Sequence, residues 1–237
     1  MAERGEGTGR QPLTRDRVLR TAVAVADEQG LEAVSMRRLA QVLGVVPMAL
    51  YKHVANKDEL LAAMVDAVVT EMGAGSATVG DDGWRPALRG RVLAAREVLL
   101  RHPWARRVME EQVSPTPAVL AHQDAMIGLL LAGGLSVDLV HHVMHALGSR
   151  VFGFSQELYD AAPAPVDPEL LAVMAERMGA MFPNIVAVAT SRPHDPATVV
   201  GPTGCDDRFE FEFALDLLLS GVERLHAEGW TSAPVSR

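Results

Sequence analysis

The stretch Ser35-Met-Arg-Arg-Leu-Ala-Gln-Val-Leu-Gly-Val-Val-Pro-Met-Ala-Leu-Tyr-Lys-His-Val-Ala-Asn-Lys-Asp-Glu-Leu60 decides the fold. Ser35 stands where it can cap a short helix whose buried side is Leu39, Ala40 and Leu43, and Gly44 stops that helix. Pro47 suits the first turn of the next helix, which the pattern carries to about His53. Asn56 and Glu59 sit at capping-box spacing and open a longer helix through Leu60, Leu61, Met64, Val65 and Val68. A helix, a tight Gly-containing turn and a second helix make helix-turn-helix spacing. Any two packed helices can show that spacing, so the charges around it carry more of the argument.

The whole chain is acidic, with 22 basic and 30 acidic residues and a net charge of −8. Taken alone, that balance argues against nucleic acid. Arg10 to Lys57 reverses it with eight basic and four acidic residues, a local charge of +4, which leaves −12 on the remainder. From Ser35 to Lys57 there is no acid at all, and both lysines of the protein, Lys52 and Lys57, fall inside that window. A charge run is often only a solvated face. Here Arg37 and Arg38 lie in the first turn of one predicted helix and Lys57 in that of another, where a cation opposes the helix dipole. The placement makes sense when a phosphate sits at those N-termini.

Working outward, the N-terminal side adds one more helix. Thr14 caps it, Asp16 stands in its first turn, Val18, Leu19, Ala22, Val23 and Ala26 recur at helical spacing, and Gly30 ends it. Residues 1–12 are polar and Gly-rich and read as a flexible arm with no signal-peptide run. On the C-terminal side, Gly73 to Gly83 reads as a linker. Helices follow at Trp84–Arg101, Pro103–Glu111, Pro117–Leu131, Val137–Leu158, Glu169–Met181 and Phe209–Ala227, with loops at Ala161–Pro168 and Ser191–Asp207. No run alternates as a strand does, and aromatics are only 5% of residues, so the fold class is all-α. Single Cys205 excludes an internal disulfide framework and a four-cysteine zinc site, and it fits a reducing cytoplasm. Met126–Val137, the longest uncharged apolar run, falls short of the roughly 20 residues a membrane span needs.

The segment Met36–Leu60 resembles the DNA-binding segment of the TetR family of bacterial transcriptional repressors. Leu-Ala-x-x-Leu-Gly-Val at 39–45, Leu-Tyr-x-His-Val at 50–54 and Asn-Lys-x-x-Leu at 56–60 carry the likeness. The later chain resembles the tetracycline-repressor-like C-terminal domain more loosely, at Trp84, Leu99 to Arg101, Gly153 and Phe211 to Gly221. The resemblance implies a three-helix helix-turn-helix domain over 13–60 and a helical ligand-binding and dimerisation domain over 61–237. It also implies a homodimer on double-stranded operator DNA with half-sites one turn apart. The DNA-facing set is then Ser35, Arg37, Arg38, Val46, Pro47, Met48, Ala49, Tyr51, Lys52, His53 and Lys57. The family usually caps its recognition helix with a small polar residue. Val46 stands there and cannot cap, so readout leans on apolar contact with thymine methyls.

The resemblance further implies a small-molecule effector that releases the operator. The family's magnesium–tetracycline contacts mostly do not carry over: the metal-binding His falls at Met109, a drug-binding Gln at Met126, a His and an Asn at Gly73 and Arg91, and only a partner-chain Glu survives, as Glu157. Met64, Met109, Met126, Met144 and Phe152 would instead line an apolar, adaptable pocket, with Arg91 and His145 orienting an acidic or carbonyl group. Methionines at such spacing serve equally as core. His141 and His145 share a helix face, but no acidic third ligand joins them, so they read as pocket or interface residues and no metal or cofactor is called for. The last helix and Val140–Leu158 are expected to pair across the dimer. A small helical enzyme is the rival class, and it lacks a phosphate loop, a nucleophile elbow or paired carboxylates. An activator or an architectural DNA-binding protein of the same fold stays open, because sequence does not give the sign of regulation.

Overall fold

The computed structural model describes residues 12–73, 83–112, 114–153, 177, 179–189 and 207–232, and the regular structure among them is helical throughout. Helix α1 spans Arg15–Gln29 and a 3-10 turn spans Leu31–Ala33. Then come α2 (Met36–Leu43), α3 (Pro47–Leu50), α4 (Lys57–Gly73), α5 (Trp84–Arg101), α6 (Trp104–Glu111), α7 (Pro117–Ala132) and α8 (Val137–Gly153). Two more follow, α9 (Pro183–Ala189) and α10 (Asp207–Ala227). The chain divides into two compact units, Met1–Val140 and His141–Arg237.

The first unit begins as its caps dictate. Thr14 Oγ1 accepts a hydrogen bond from the Arg17 N–H (3.2 Å), and Gly30, at φ 81°, turns the chain out of α1. Val18, Ala22, Val25 and Ala26 of α1 lie buried with Leu39, Ala40 and Leu43 of α2, Leu50 of α3 and Leu60, Met64, Val65, Val68 and Met72 of α4. The same cluster takes in Ala95 and Val98 of α5 and Trp104, Ala105 and Val108 of α6. A division drawn from sequence at residue 60 is thus one of roles, because the apolar packing runs straight across it. Helix α4 packs on α1, α5, α6 and α7, and α5 also packs on α7. The α5–α7 contact needs a glycine: a Cβ on Gly133 would fall 2.4 to 2.7 Å from Cδ1, Cγ and Cβ of Trp84.

Four expectations change. The helix opened by Pro47 stops at Leu50, and Tyr51 to His53 form a turn closed by the His53 and Val54 N–H groups on the Leu50 carbonyl (2.8 and 3.1 Å). With Val46 supplying no side-chain cap, little holds a longer helix there. Helix α9 lies in a stretch the sequence pattern left unassigned. In the second unit, Val143 and Leu147 of α8 are buried within one chain, as is Val140, so that stripe is not open to a second copy as expected. On α10, Leu215, Leu219 and Val222 are buried while Phe209, Phe213 and Leu217 are exposed, so only the edge through Leu217, and not the whole apolar surface of the last helix, is left to pair across a dimer. Residues 1–11, most of the linker expected at 73–83, Phe154–Leu158 with Glu157, the loop at 161–168 and the loop at 191–206 lie outside the described residues.

Candidate functional site

Local chemistry builds the helix-turn-helix face. Ser35 Oγ accepts from the Arg38 N–H (3.2 Å), and Gly44 adopts the left-handed conformation (φ 67°, ψ 36°) that closes α2. Leu50 is fully buried and pins α3 by its inner side. The outer side is then forced into water: Val46 is 68% exposed and Met48 72%, with Pro47 and Tyr51 exposed beside them and Ala49 half-buried. Large apolar side chains held out on so short a helix are costly to leave wet, and they suit a surface that meets a partner. Arg37, Lys52 and Lys57 are exposed and carry no ion pair among the described residues. Arg38 is tied to amide oxygens, Gln41 Oε1 at 3.4 Å and Gln29 Oε1 at 3.2 Å, which fix its direction without neutralising it. His53 is half-buried.

The start of α4 is held as its sequence predicts, with one change. The Glu59 N–H donates to Asn56 Oδ1 (2.8 Å), while the Glu59 carboxylate accepts from the Ala55 N–H (2.7 Å), one residue before the expected reciprocal partner. Glu59 also lies 3.7 Å from Arg15 of α1. Lys57 is therefore presented from a clamped helix start.

A second polar cluster joins α1 to the α5–α6 corner, and sequence reasoning missed it. Asp27 Oδ1 accepts from the Trp104 indole N–H (2.6 Å) and lies 2.8 Å from His102 Nδ1. His102, buried, also places its Nε2 3.3 Å from Glu71 Oε2, and Glu71 pairs with Arg101. Burial pushes the Glu71 carboxyl up, but hydrogen bonds from Arg101 and His102 outweigh it and hold the group below its ordinary value. Arg107 of α6 adds a bridge to Glu32 in the 3-10 turn (3.1 Å).

The expected effector residues distribute unevenly. Met64 is fully buried in the core shared with the head, and Met109 packs against that core. Met126 is buried on α7. Arg91, half-buried on α5, brings Nη2 to 3.4 Å from His122 Nδ1 of α7, and its Nε is buried with no hydrogen-bond partner. Burial first, and the Arg91 charge second, push His122 down to about 4. His122 was not singled out from sequence, although its place four residues before Met126 puts it on the inner face of α7. In the second unit His141 and His145 are exposed, their rings edge to face at 4.7 Å, and His142 meets Trp230 at 5.5 Å. Met144 is half-buried there, and the side chain of Phe152 lies outside the described residues. Among the described residues no three His, Cys, Asp or Glu converge as a metal would require, and no helix is long and apolar enough to cross a membrane.

Comparison with known proteins matches both parts of this arrangement. Residues 18–64 match the profile of bacterial regulatory proteins of the tetR family, and residues 77–226 that of the tetracyclin repressor-like C-terminal domain. The chain is 33% identical over 230 residues to the HTH-type transcriptional repressor DrrR1 of Streptomyces coeruleorubidus, covering 93% of this chain and 84% of that one. It superposes on the crystal structure of apo ActR from Streptomyces coelicolor with a TM-score of 0.69 at 28% identity, over 92% of this chain and 99% of that one. ActR in complex with actinorhodin gives 0.66 at 28% identity, over 90% and 98%.

Proposed function

We propose that this chain, which belongs to the TetR family of bacterial regulatory proteins, is a repressor that grips a near-palindromic operator as a homodimer and releases it when a small molecule binds its C-terminal domain. The observation that carries the DNA-binding half is the α3 face: Val46, Met48 and Tyr51 exposed on a helix-turn-helix, flanked by unpaired Arg37, Lys52 and Lys57 in a segment with no acid from 35 to 57. Cations meet phosphates and fix register, while apolar groups on α3 reach thymine methyls in the major groove. Pro47, Ala49 and the half-buried His53 complete that face, and Ser35, its oxygen already accepting from Arg38, keeps its proton for a phosphate oxygen.

Two copies follow from the exposed edge of α10. Phe209, Phe213 and Leu217 recur at four-residue steps, and a second α10 brought against them would remove that edge from water. Binding of actinorhodin by ActR, a structural relative, supports an organic effector for this chain. Met126 and Arg91 of the first unit are the residues assigned to it, whereas Met64 serves the core. Selection of bound fragments from a random DNA library tests the reading. Enrichment of two related half-sites spaced about one helical turn apart is the expected result, and no enrichment overturns it. Compounds that raise the melting temperature of the protein should then dissociate the selected DNA.

A further inference from the structure

Arg91 carries a permanent charge that nothing among the described residues answers. Among the described residues no carboxylate lies within ion-pair distance of it, its Nε is buried with no acceptor, and its polar neighbour is the His122 ring. Burial lowers the pKa of the guanidinium, and His122 at about 4 is neutral near physiological pH. A neutral His122 accepts the Arg91 proton at Nδ1 and therefore carries its own proton on Nε2. The pair thus offers donors only: Arg91 Nε–H, the remaining guanidinium N–H groups and His122 Nε2–H. A structural arginine at a comparable depth is normally matched by a carboxylate.

The surroundings set the character of what fits. Gly73 closes α4 beside the guanidinium, and a Cβ there would meet Arg91 Nη2 at 3.7 Å and nothing else within 4 Å. Ala87, Leu88 and Ala95, one turn either side of Arg91 on α5, are buried and apolar, as is Met126 one turn beyond His122 on α7. A second orphan sits on α4: Asp66 Oδ1 is buried without a partner. Asp66 precedes Gly73 by seven residues, so it shares that helix face at a distance of roughly 10 Å.

We infer that Arg91 and His122 form the receptor for an ionised acidic group, a carboxylate or phenolate, carried by a largely apolar effector, with Asp66 taking a hydrogen-bond donor of the same molecule. This rests on the reading of the chain as an effector-released repressor. The anion completes the guanidinium through its Nε and Nη edge, the fork geometry that favours arginine over lysine at such sites. His145, the other residue expected to read an acid, is exposed and engaged edge to face with His141, and it takes no part.

Titration calorimetry on the full-length protein tests this with 2-naphthoate and anthracene-2-carboxylate, each against its neutral primary amide. Wild-type protein should bind each acid about tenfold tighter than its amide, the worth of one charge-assisted hydrogen bond. In Arg91→Met that preference should vanish while amide affinity holds, and in His122→Phe it should shrink. Ligand-free Arg91→Met should melt no lower than wild type, and up to roughly 4 °C higher, because a lone buried charge has been removed. Equal binding of acid and amide, an acid preference that survives Arg91→Met, a variant that melts several degrees lower, or no acid binding at millimolar concentration each overturns the inference. The same samples carry selected operator DNA. Release by the neutral amides alone keeps the repressor and discards the acid receptor, and acid binding through Arg91 without release does the reverse.

Discussion

Replacing Asp27 with alanine should destabilise the first unit more than its position on a half-wet helix surface suggests. Its Oδ1 accepts from the Trp104 indole at 2.6 Å and lies 2.8 Å from His102 Nδ1, and both rings are buried. Leaving a buried donor unsatisfied costs about 1–3 kcal/mol. Among the described residues Trp104 has no other acceptor, so it carries most of that cost, while His102 keeps Glu71 at 3.3 Å and loses less. The Asp27 side chain is 27% exposed, so water takes part of the load. We expect a loss of about 2–4 kcal/mol, a fall of roughly 5–15 °C in melting temperature for a chain of this size. Asp27→Asn, which keeps an acceptor and removes the charge, should lose about half as much. Urea melts followed by circular dichroism measure both. The cycle Asp27→Ala, Trp104→Phe and the double variant isolates the shared bond, with a coupling of about 1 kcal/mol expected. Additive losses, or an Asp27→Ala loss under about 0.5 kcal/mol, would refute the reasoning.

Four further outcomes are expected. Lys57→Ala should weaken binding alike on all DNA sequences and make the dependence of log affinity on log salt shallower by about one unit, measured by fluorescence anisotropy. Gly133→Ala should cost roughly 1–3 kcal/mol, because the new methyl lands 2.4 Å from the Trp84 ring and only 2.7 Å from its Cβ, which cannot swing away; an unchanged melting curve counts against that contact. Leu217→Arg, at a side chain 66% exposed in one chain, should leave the fold intact and yield monomers by light scattering, whereas a retained dimer moves the interface off α10. His122 is held at about 4 against an ordinary 6.5, so the unfolded chain binds the extra proton between those values, and stability is full above about 6.5 and lost as the pH falls towards 4. The shift bounds that loss at about 3 kcal/mol, and partial exposure reduces it to about 1–2; His122→Gln should flatten the dependence in melts at about pH 7 and pH 4.5.

The head was legible because its signals are local. Thr14, Ser35, Gly44, Pro47 and the Asn56–Glu59 box each act within four residues, and the structure uses every one, with Glu59 reaching back to Ala55 as the single shift. The exposure of Arg37, Lys52 and Lys57 was likewise readable, since a stretch with cations and no acid survives folding as surface. What was missed depends on distance in sequence. Asp27 meets His102 and Trp104 across some seventy-five positions, and Arg91 meets His122 across thirty-one, spacings no periodicity encodes. Met64 and Met126 show the same limit from the other side. Helical spacing marks an inward face, and whether that face meets core or cavity is settled by what packs opposite. The Val140–Val143–Leu147 stripe was an apolar face read as intermolecular that the chain itself covers.

Helix α4 joins the two problems, because it bears Lys57 at one end and Gly73, beside Arg91, at the other. Its seventeen residues span roughly 25 Å as one rod. Leu60, Met64, Val65 and Val68 lock that rod into the core shared with α1 and α2, so the start of α4 cannot shift without the head. Near its far end Val69 and Met72 share the core with Val98 and Trp104, and polar ties from Glu71 reach Arg101 and, at 3.3 Å, His102. The exposed Glu71–Arg101 pair is individually weak, while Asp27 holds the same corner to α1 through a buried indole. On the proposed reading, a ligand seated on Arg91 beside Gly73 moves the head only by as much as it prefers the displaced arrangement over the DNA-bound one. Arg91 supplies such a preference if its distance to Gly73 differs between those arrangements, because a charge-assisted bond made in one and broken in the other is worth about 1.5–3 kcal/mol. In the proposed dimer that would become about 3–6 kcal/mol, or roughly two to four orders of magnitude in operator affinity. On the proposed reading, an anion bond to Arg91 made in only one arrangement would be large enough to operate the switch.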